Sequence, residues 1–592
     1  LTGFILDNQR NLLLAVVLSG LLILGWDIGM RFFYPEASLT AAVDKPAAAT
    51  SATASADTVA AAGVAGADIG EGVATRRDLA SALASPGRVV IDTPRLAGSI
   101  NPVGLRVDDI VLKDHRESVA KNSGPVRLFA PEGTPYQYFA EFGFVTGGKR
   151  LPSALVWQAD GTRLTPETPV TFTHTDANGI TYRVRFAIDA DYMITASRTV
   201  TNGSAAAAII QPFALINRTS AHATLDEFLV HSGPLGVFGG TLWDENNYED
   251  LAEAGRDMPA GAASWLGFTD RYWLSALVPG EGKIAEAGFR SLGSKLFRTD
   301  LLYAPQTVAA GASVTQDTRL FAGAKESEIL EKYEGQGITE FDKAISWGWF
   351  WLIEKPLLWL LLQLNQLAGN FGVAIILMTV IVRGVMFPVA QKQFASMAAM
   401  KAVQPKMKAL QERYKDDKQR LQQEMMKLYK DEKVNPLAGC LPLLIQIPIF
   451  FALYKVLILS IEMRHEPFIA WIRDLSAPDP AHILNLFGML PFDVPGFLAI
   501  GPLAILLGVT MWLTFKLNPA AMDPVQQQIF AFMPWILMFV MAPFAAGLLL
   551  YWVTSNILTL AQQSYLYSKH PQLKAAAAQE KAEAERKKAA QG

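Results

Sequence analysis

The sequence predicts a polytopic α-helical membrane protein of six transmembrane helices, with a large all-β domain outside the membrane and a helical hairpin on the cytoplasmic side. Three observations lead there. Of 592 residues 51% are hydrophobic, and the long apolar runs gather near the N-terminus and beyond Trp347. Between Pro86 and Gly335 the pattern changes to short stretches alternating apolar with polar residues, the signature of half-buried strands. Basic residues crowd one connection, 391–434, which orients the spans with that loop inside.

The first apolar run, Leu12 to Gly25 and weakly on to Phe33, follows Arg10. It reads as a signal peptide or as a retained anchor over 1–36. Residues 37–85 are rich in Ala, Thr, Ser and Gly with almost no aromatic residues. Such a segment buries too little apolar area to offset the entropy of ordering it, and is expected to be a disordered linker. The region 86–335 is expected to be a β-sandwich. In "NGITYRVRFAI" the side chains of Ile180, Tyr182, Val184, Phe186 and Ile188 share one face, and Asn178-Gly179 just before them signals a hairpin turn.

Next, "FDKAISWGWFWLIEKP" carries Phe341, Ile345, Trp349 and Leu352 at helical spacing with three tryptophans. This predicts an amphipathic interfacial helix over 336–356. Five further spans follow from apolar length: Leu357 to Val389 (the second helix, 357–390), Leu437 to Ile461, Gly496 to Phe515, Ile529 to Met541 and Leu548 to Tyr567, the last four filling 435–568. The Pro- and Gly-containing "APFAAG" joins the last two as a tight hairpin.

The loop 391–434 holds eleven Lys and Arg residues, whereas Glu462 to Pro495 holds only Arg464 and Arg473. The first is therefore cytoplasmic, and threading outward from it places 516–528 and the basic tail, 569–592, inside as well. Both termini are then cytoplasmic. Within 391–434, Met407, Leu410 and Tyr414, then Leu421, Met425 and Leu428, recur at three or four residues on either side of "YKDDK". That spacing predicts an antiparallel helical hairpin, either a docking element or a solvated connection.

Several function classes are excluded or unsupported. A net charge of only -3 gives no argument for DNA as a partner. No phosphate-binding glycine loop, zinc-protease helix or glycine-flanked serine elbow is present, and the seven histidines show no ligand spacing. The single cysteine, Cys440, cannot form an internal disulfide. No enzyme activity and no cofactor or metal is indicated.

The unusual residue is Arg383, a charge inside the apolar stretch from Phe371 to Val389. At mid-bilayer such a charge costs about 2.5–3.5 kcal/mol on insertion scales. Its side chain either snorkels toward Gln391 and Lys392 or faces a polar groove shared with Thr379, Gln446, Thr554, Ser555, Asn556, Gln562 and Gln563. Thr379 and Arg383, four apart, lie on one helix face. A secondary transporter using the groove as a solute site is the alternative reading, and a carbohydrate-binding or carbohydrate-modifying external domain is another.

The stretches "VRGVMFPVAQKQF", "NPLAGCLP", "DPVQQQIFAFMPWI" and "GLLLYWVTSN" resemble the core of the bacterial YidC membrane protein insertases. The resemblance covers Trp347 to about Tyr567. With its N-terminal anchor and external domain, the layout is similar to the Gram-negative form of the family. That resemblance implies an uncleaved first span, a periplasmic β-supersandwich and an address in the cell inner membrane. It implies insertion and chaperoning of nascent membrane proteins in the lipid bilayer, alone or with the Sec translocon, and ribosome contact through the cytoplasmic loops and tail. It carries the family's groove arginine onto Arg383. Thr379, Gln446, Tyr551, Trp552 and Asn556 complete the groove or client-contacting set. Two departures are the long external loop 485–497 and Lys455, a second charge within the third span, read as snorkelling to the external interface.

Overall fold

A computed structural model describes residues 77–221, 230–414, 417–432, 441–487, 489, 490, 494, 498–517 and 524–569. The expected N-terminal anchor, most of the linker, Cys440, much of the loop 485–497, residues 518–523 and the tail beyond Lys569 lie outside them.

The strands between Val89 and Ala324 form two sheets. Pairing is antiparallel except where Val90 and Ile91 run parallel to Arg163 and Leu164. One sheet is centred on Tyr138–Thr146, Ala208–Thr219 and Leu296–Tyr303, the other on Ile180–Ile188, Met193–Asn202, Ser313–Ala324 and Trp273–Pro279. Their inner faces interdigitate as a sandwich: Phe142 meets Phe186 with ring centroids 5.5 Å apart, and Phe144 meets Tyr182 at 5.1 Å. The alternation read from the sequence sets this register. Ile180, Tyr182, Val184, Phe186 and Ile188 are all buried, while Arg183 and Arg185 are exposed. The preceding hairpin turns at Asn178-Gly179, where Gly179 takes φ of 83°, a conformation that costs glycine little.

Two expectations fail at the edges of this domain. The linker read as disordered to residue 85 already holds a short helix, Leu79–Leu83, N-capped by Asp78 with Ala82 buried. Its backbone is tied back by Arg77 N–H to Gly133 O at 3.0 Å. The interfacial helix expected over 336–356 is also displaced. Phe341–Ala344 and Gly348–Phe350 are separate 3₁₀ turns, because Glu340 and Gly348 both take positive φ and break the helical path. Phe341 and Ile345 are buried instead of lining a helix face, and Phe341 packs on Trp265 at 5.3 Å.

Numbering the helices of eight residues or more in order, α1 is Ser327–Gly335, α2 Trp351–Ala368, α3 Phe371–Arg413, α4 Lys418–Asp431, α5 Leu441–Leu459, α6 Pro502–Leu517, α7 Pro524–Met541 and α8 Ala546–Lys569. The span expected to start at Leu357 is thus divided. Gly369 closes α2 in the left-handed conformation, and the Asn370 side chain accepts the Val373 N–H at 3.1 Å to open α3. Hydropathy alone hides this stop and start, since both sides are apolar. The amphipathic helix is α2, with Trp351, Leu352, Trp359 and Leu367 exposed and Leu357, Leu358 and Leu361 buried. At the far end of α3, Lys406 pairs with Glu432 just beyond α4, and the Tyr429 hydroxyl lies 3.9 Å from Met407 Sδ.

Among the described residues one helix, Phe371–Lys392, is long and apolar enough to cross a membrane. The apolar stretches Gln446–Leu459, Pro502–Lys516 and Ala531–Met541 are of 10–17 residues. One apolar core runs unbroken from the sandwich through Phe341, Ile345 and Trp347 into α2, α3, α5, α6 and α8. Lys455, read as a snorkelling charge, is instead buried and donates to Ser346 O at 2.6 Å and Trp347 O at 3.1 Å. It holds the connecting segment against α5, and its four-carbon stem needs no route to water.

The sandwich also contains a buried cation. Lys325 is 1% exposed and donates to Thr269 Oγ1 at 3.1 Å, beside the Arg218–Asp270 ion pair at 2.5 Å. Burial pushes the Lys325 ammonium down to about 7 from 10.5, with Asp270 opposing that shift. The unfolded chain then binds the extra proton across that interval, so stability rises with pH from about 7 to 10.5 and is flat in this residue below 7. Lys325→Met is expected to flatten that rise, measured as the melting temperature of the full chain against pH.

Candidate functional site

The site is built where α3, α5, α6 and α8 meet. Each helix is apolar over most of its surface, so a polar side chain turned inward has only other side chains or backbone carbonyls to bond. α8 supplies the densest set. Tyr551, Ser555, Thr559 and Gln562 or Gln563 recur at three or four residues and form a stripe along one side of the helix.

The Arg383 guanidinium of α3 is half-buried and reaches across to α8. It donates to Ser555 Oγ from Nε at 3.0 Å and again from Nη2. Ser555 is 1% exposed. The arginine is therefore turned onto the neighbouring helix, and the snorkelling alternative is not the conformation present. Thr379, one turn earlier, is fully buried and donates to Ile375 O at 2.6 Å. It satisfies its hydroxyl within its own helix and makes no bond to Arg383.

Gln446 of α5 donates from Nε2 to the Tyr551 hydroxyl at 2.9 Å, and Tyr551 is buried. Trp552, on the adjoining side of α8, is half-buried and packs against Phe450 of α5 with centroids 5.0 Å apart. Asn556, one turn on, donates to Thr510 Oγ1 of α6 at 3.1 Å, while Thr510 itself donates to Leu506 O at 2.7 Å. Of the six residues expected from the sequence, Arg383, Gln446, Tyr551 and Asn556 each make a bond between helices. Trp552 contributes an aromatic contact and Thr379 an internal one.

Two participants fall outside that set. Ser555 stood among the polar residues of the last span, but nothing in the one-dimensional pattern distinguished it from Thr554. Thr510 left no signal, since a threonine in an apolar run routinely bonds its own helix. Among the described residues no group of three or more His, Cys, Asp or Glu is placed to hold a metal ion. The aromatics Trp243, Trp265 and Trp273 do not form an open sugar platform. Trp265 is fully buried with Nε1 donating to Thr339 O at 3.1 Å, Trp243 stacks on Phe289 at 5.0 Å, and Trp273 lies under Arg464 at 5.3 Å.

An antiparallel sandwich joined to apolar helices that bond one another through buried polar side chains defines a helical membrane protein that carries a β domain. The family model described as "60Kd inner membrane protein" matches residues 363–574, and "YidC periplasmic domain" matches 88–360. The membrane protein insertase YidC of Zymomonas mobilis is 42% identical over 570 residues, covering 95% of this chain and 96% of the relative. That of Beijerinckia indica is 43% identical over 579 residues, with coverage of 95% and 96%. A crystal structure titled as an active YidC insertase with the first transmembrane domain resolved aligns over 81% of this chain and 92% of its own, at 19% identity and a TM-score of 0.34. On the sequence relationship, the chain belongs to the YidC family of membrane protein insertases.

The Asn556–Thr510 bond gives a direct test of inter-helix coupling. In a double-mutant cycle of Asn556→Leu with Thr510→Val, unfolding in mixed detergent is expected to give a coupling of about 0.6 kcal/mol and no more than about 1.7. A coupling indistinguishable from zero would mean that the two side chains do not depend on each other.

Proposed function

We propose that this protein inserts nascent proteins into the inner membrane and assists their folding there, alone or with the Sec translocon. In this reading the polar groups around Arg383 line a partly hydrated groove open to the cytoplasm. An incoming segment's polar tail enters the groove while its apolar stretch slides into lipid along neighbouring helices. The β domain is periplasmic, six spans place both termini inside, and the α3–α4 hairpin with the basic tail receives the ribosome or nascent chain.

The observation that carries this reading is Arg383 held on Ser555 within a cluster of inter-helix polar bonds, joined to the activity for which the relatives are named. Intramembrane ionisable residues ordinarily face a bundle interior or a watered cavity. Further down the α8 stripe, Gln562 Nε2 and Gln563 Oε1 are buried without a hydrogen-bond partner among the described residues, which favours water in that part of the bundle.

Each Leu, Ile, Phe or Val placed at mid-membrane gains about 0.3–0.6 kcal/mol, and each Asp in transit costs about 2.5–3.5. Insertion is downhill overall with a polar barrier, so no nucleotide is required. The membrane potential, negative inside, favours outward transfer of an acidic residue by about 2.3 kcal/mol per charge per 100 mV.

Reconstituted alone in liposomes, the protein is expected to render a small single-span client protease-protected; failure there with an intact protein defeats the reading. Arg383→Ala is expected to impair clients with acidic translocated tails most, and Arg383→Lys to retain much of the activity. Equal loss in both variants, whatever the tail charge, would assign Arg383 a structural role. Trp552→Ala or Tyr551→Ala is expected to lower cross-linking to a client helix without loss of assembly, and unchanged cross-linking would remove these aromatics from the client path.

A further inference from the structure

A cleft of about 420 Å³ lies where the β domain meets the segment following α5. One wall is the turn between strands Arg106–Arg116 and Pro125–Phe129, contributing Arg116, Ser118 and Lys121; the other contributes Arg464, His465 and Arg473. Arg464 is built into the junction. It donates from Nη1 to Arg116 O at 2.7 Å and from Nη2 to Glu117 O at 3.2 Å, and its guanidinium lies over the rings of Trp273 and Tyr272.

The charge balance of this cleft is uneven. Arg116, Lys121, Arg464 and Arg473 have no carboxylate at ion-pair distance among the described residues. Of the two carboxylates lining it, Asp114 is engaged by Arg95 at 2.8 Å, leaving Glu466 alone. Four cations line this polar hollow, while Asp474 close by acts on Arg464 and lies 3.9 Å from His465; the lining keeps an excess of positive charge that attracts an anion, and a guanidinium suits a phosphate. The position indicates which phosphate. α5 ends at Leu459, and Ile469 and Trp471, between Arg464 and Arg473, are exposed apolar side chains of the type that settles at the bilayer interface.

We propose that this cleft binds the phosphate of an anionic phospholipid headgroup in the leaflet on the β-domain side, tying the β domain to the membrane surface. The site lies apart from the Arg383 cluster, and the test reads binding alone, so its failure leaves the insertion reading untouched. Hydrogen exchange is measured on the full chain in detergent, with phosphatidylglycerol, phosphatidylcholine or inorganic phosphate added.

Phosphatidylglycerol is expected to slow exchange in the turn 117–124 and in 464–473. Arg116→Ala with Lys121→Ala and Arg473→Ala is expected to weaken that protection by about ten-fold or more in lipid concentration. Arg464 is left in place because it also joins the two parts. A charge-matched control, Lys149→Ala with Arg183→Ala and Arg185→Ala, removes exposed cations that do not line the cleft and is expected to behave as the unaltered chain. The proposal is overturned if phosphatidylglycerol gives no local protection, if the cleft variant is protected as well as the control, or if phosphatidylcholine protects equally. Protection by inorganic phosphate alone overturns the lipid as the source of the anion.

Discussion

A guanidinium among apolar helices must find a partner, and in this chain the partner sits on a different helix. The Arg383–Ser555 contact joins α3 to α8, and the polar groups around it repeat the same solution: Gln446 to Tyr551 between α5 and α8, Asn556 to Thr510 between α8 and α6. Each bond offsets desolvation that apolar packing alone would leave uncompensated. α8 is the common partner in all three, through Tyr551 and Ser555 of its stripe and Asn556 beside it, so its polar side chains bear on which helices surround it. An apolar replacement of that stripe would leave the helices free to rotate about their axes, since Leu against Leu specifies no azimuth.

The β domain is coupled to this bundle by different means. An apolar core continues through Phe341, Ile345 and Trp347, and polar clamps surround it: Lys455 on the carbonyls of Ser346 and Trp347, Arg271 Nε on Ile458 O at 3.0 Å, and Ser327 N–H on Glu462 Oε1 at 3.2 Å. Several of these act on backbone carbonyls, so they depend on where the chain passes more than on which side chain it carries. The basic cleft lies on the same seam. Arg464 is the arginine that crosses it, donating to Arg116 O at 2.7 Å and to Glu117 O at 3.2 Å.

Alternation of period two was legible in one dimension because one sheet face is buried, so the strand register of Ile180–Ile188 and its Asn178-Gly179 turn followed from the sequence. Arg383 announced itself for a similar reason: a charge in an apolar run is costly wherever the chain goes. The division of 357–390 at Gly369-Asn370 was present in the letters as a helix stop followed by a cap, but uniform hydropathy on both sides concealed it. The displaced interfacial helix turned on the positive φ of Glu340 and Gly348, which spacing cannot report. Tertiary structure alone decided that Lys455 caps a connector, that Thr379 bonds inwardly, and that Ser555 and Thr510 complete the cluster. Those outcomes depend on the rotation of one helix against another, and a sequence fixes the faces of a helix but not what each face meets.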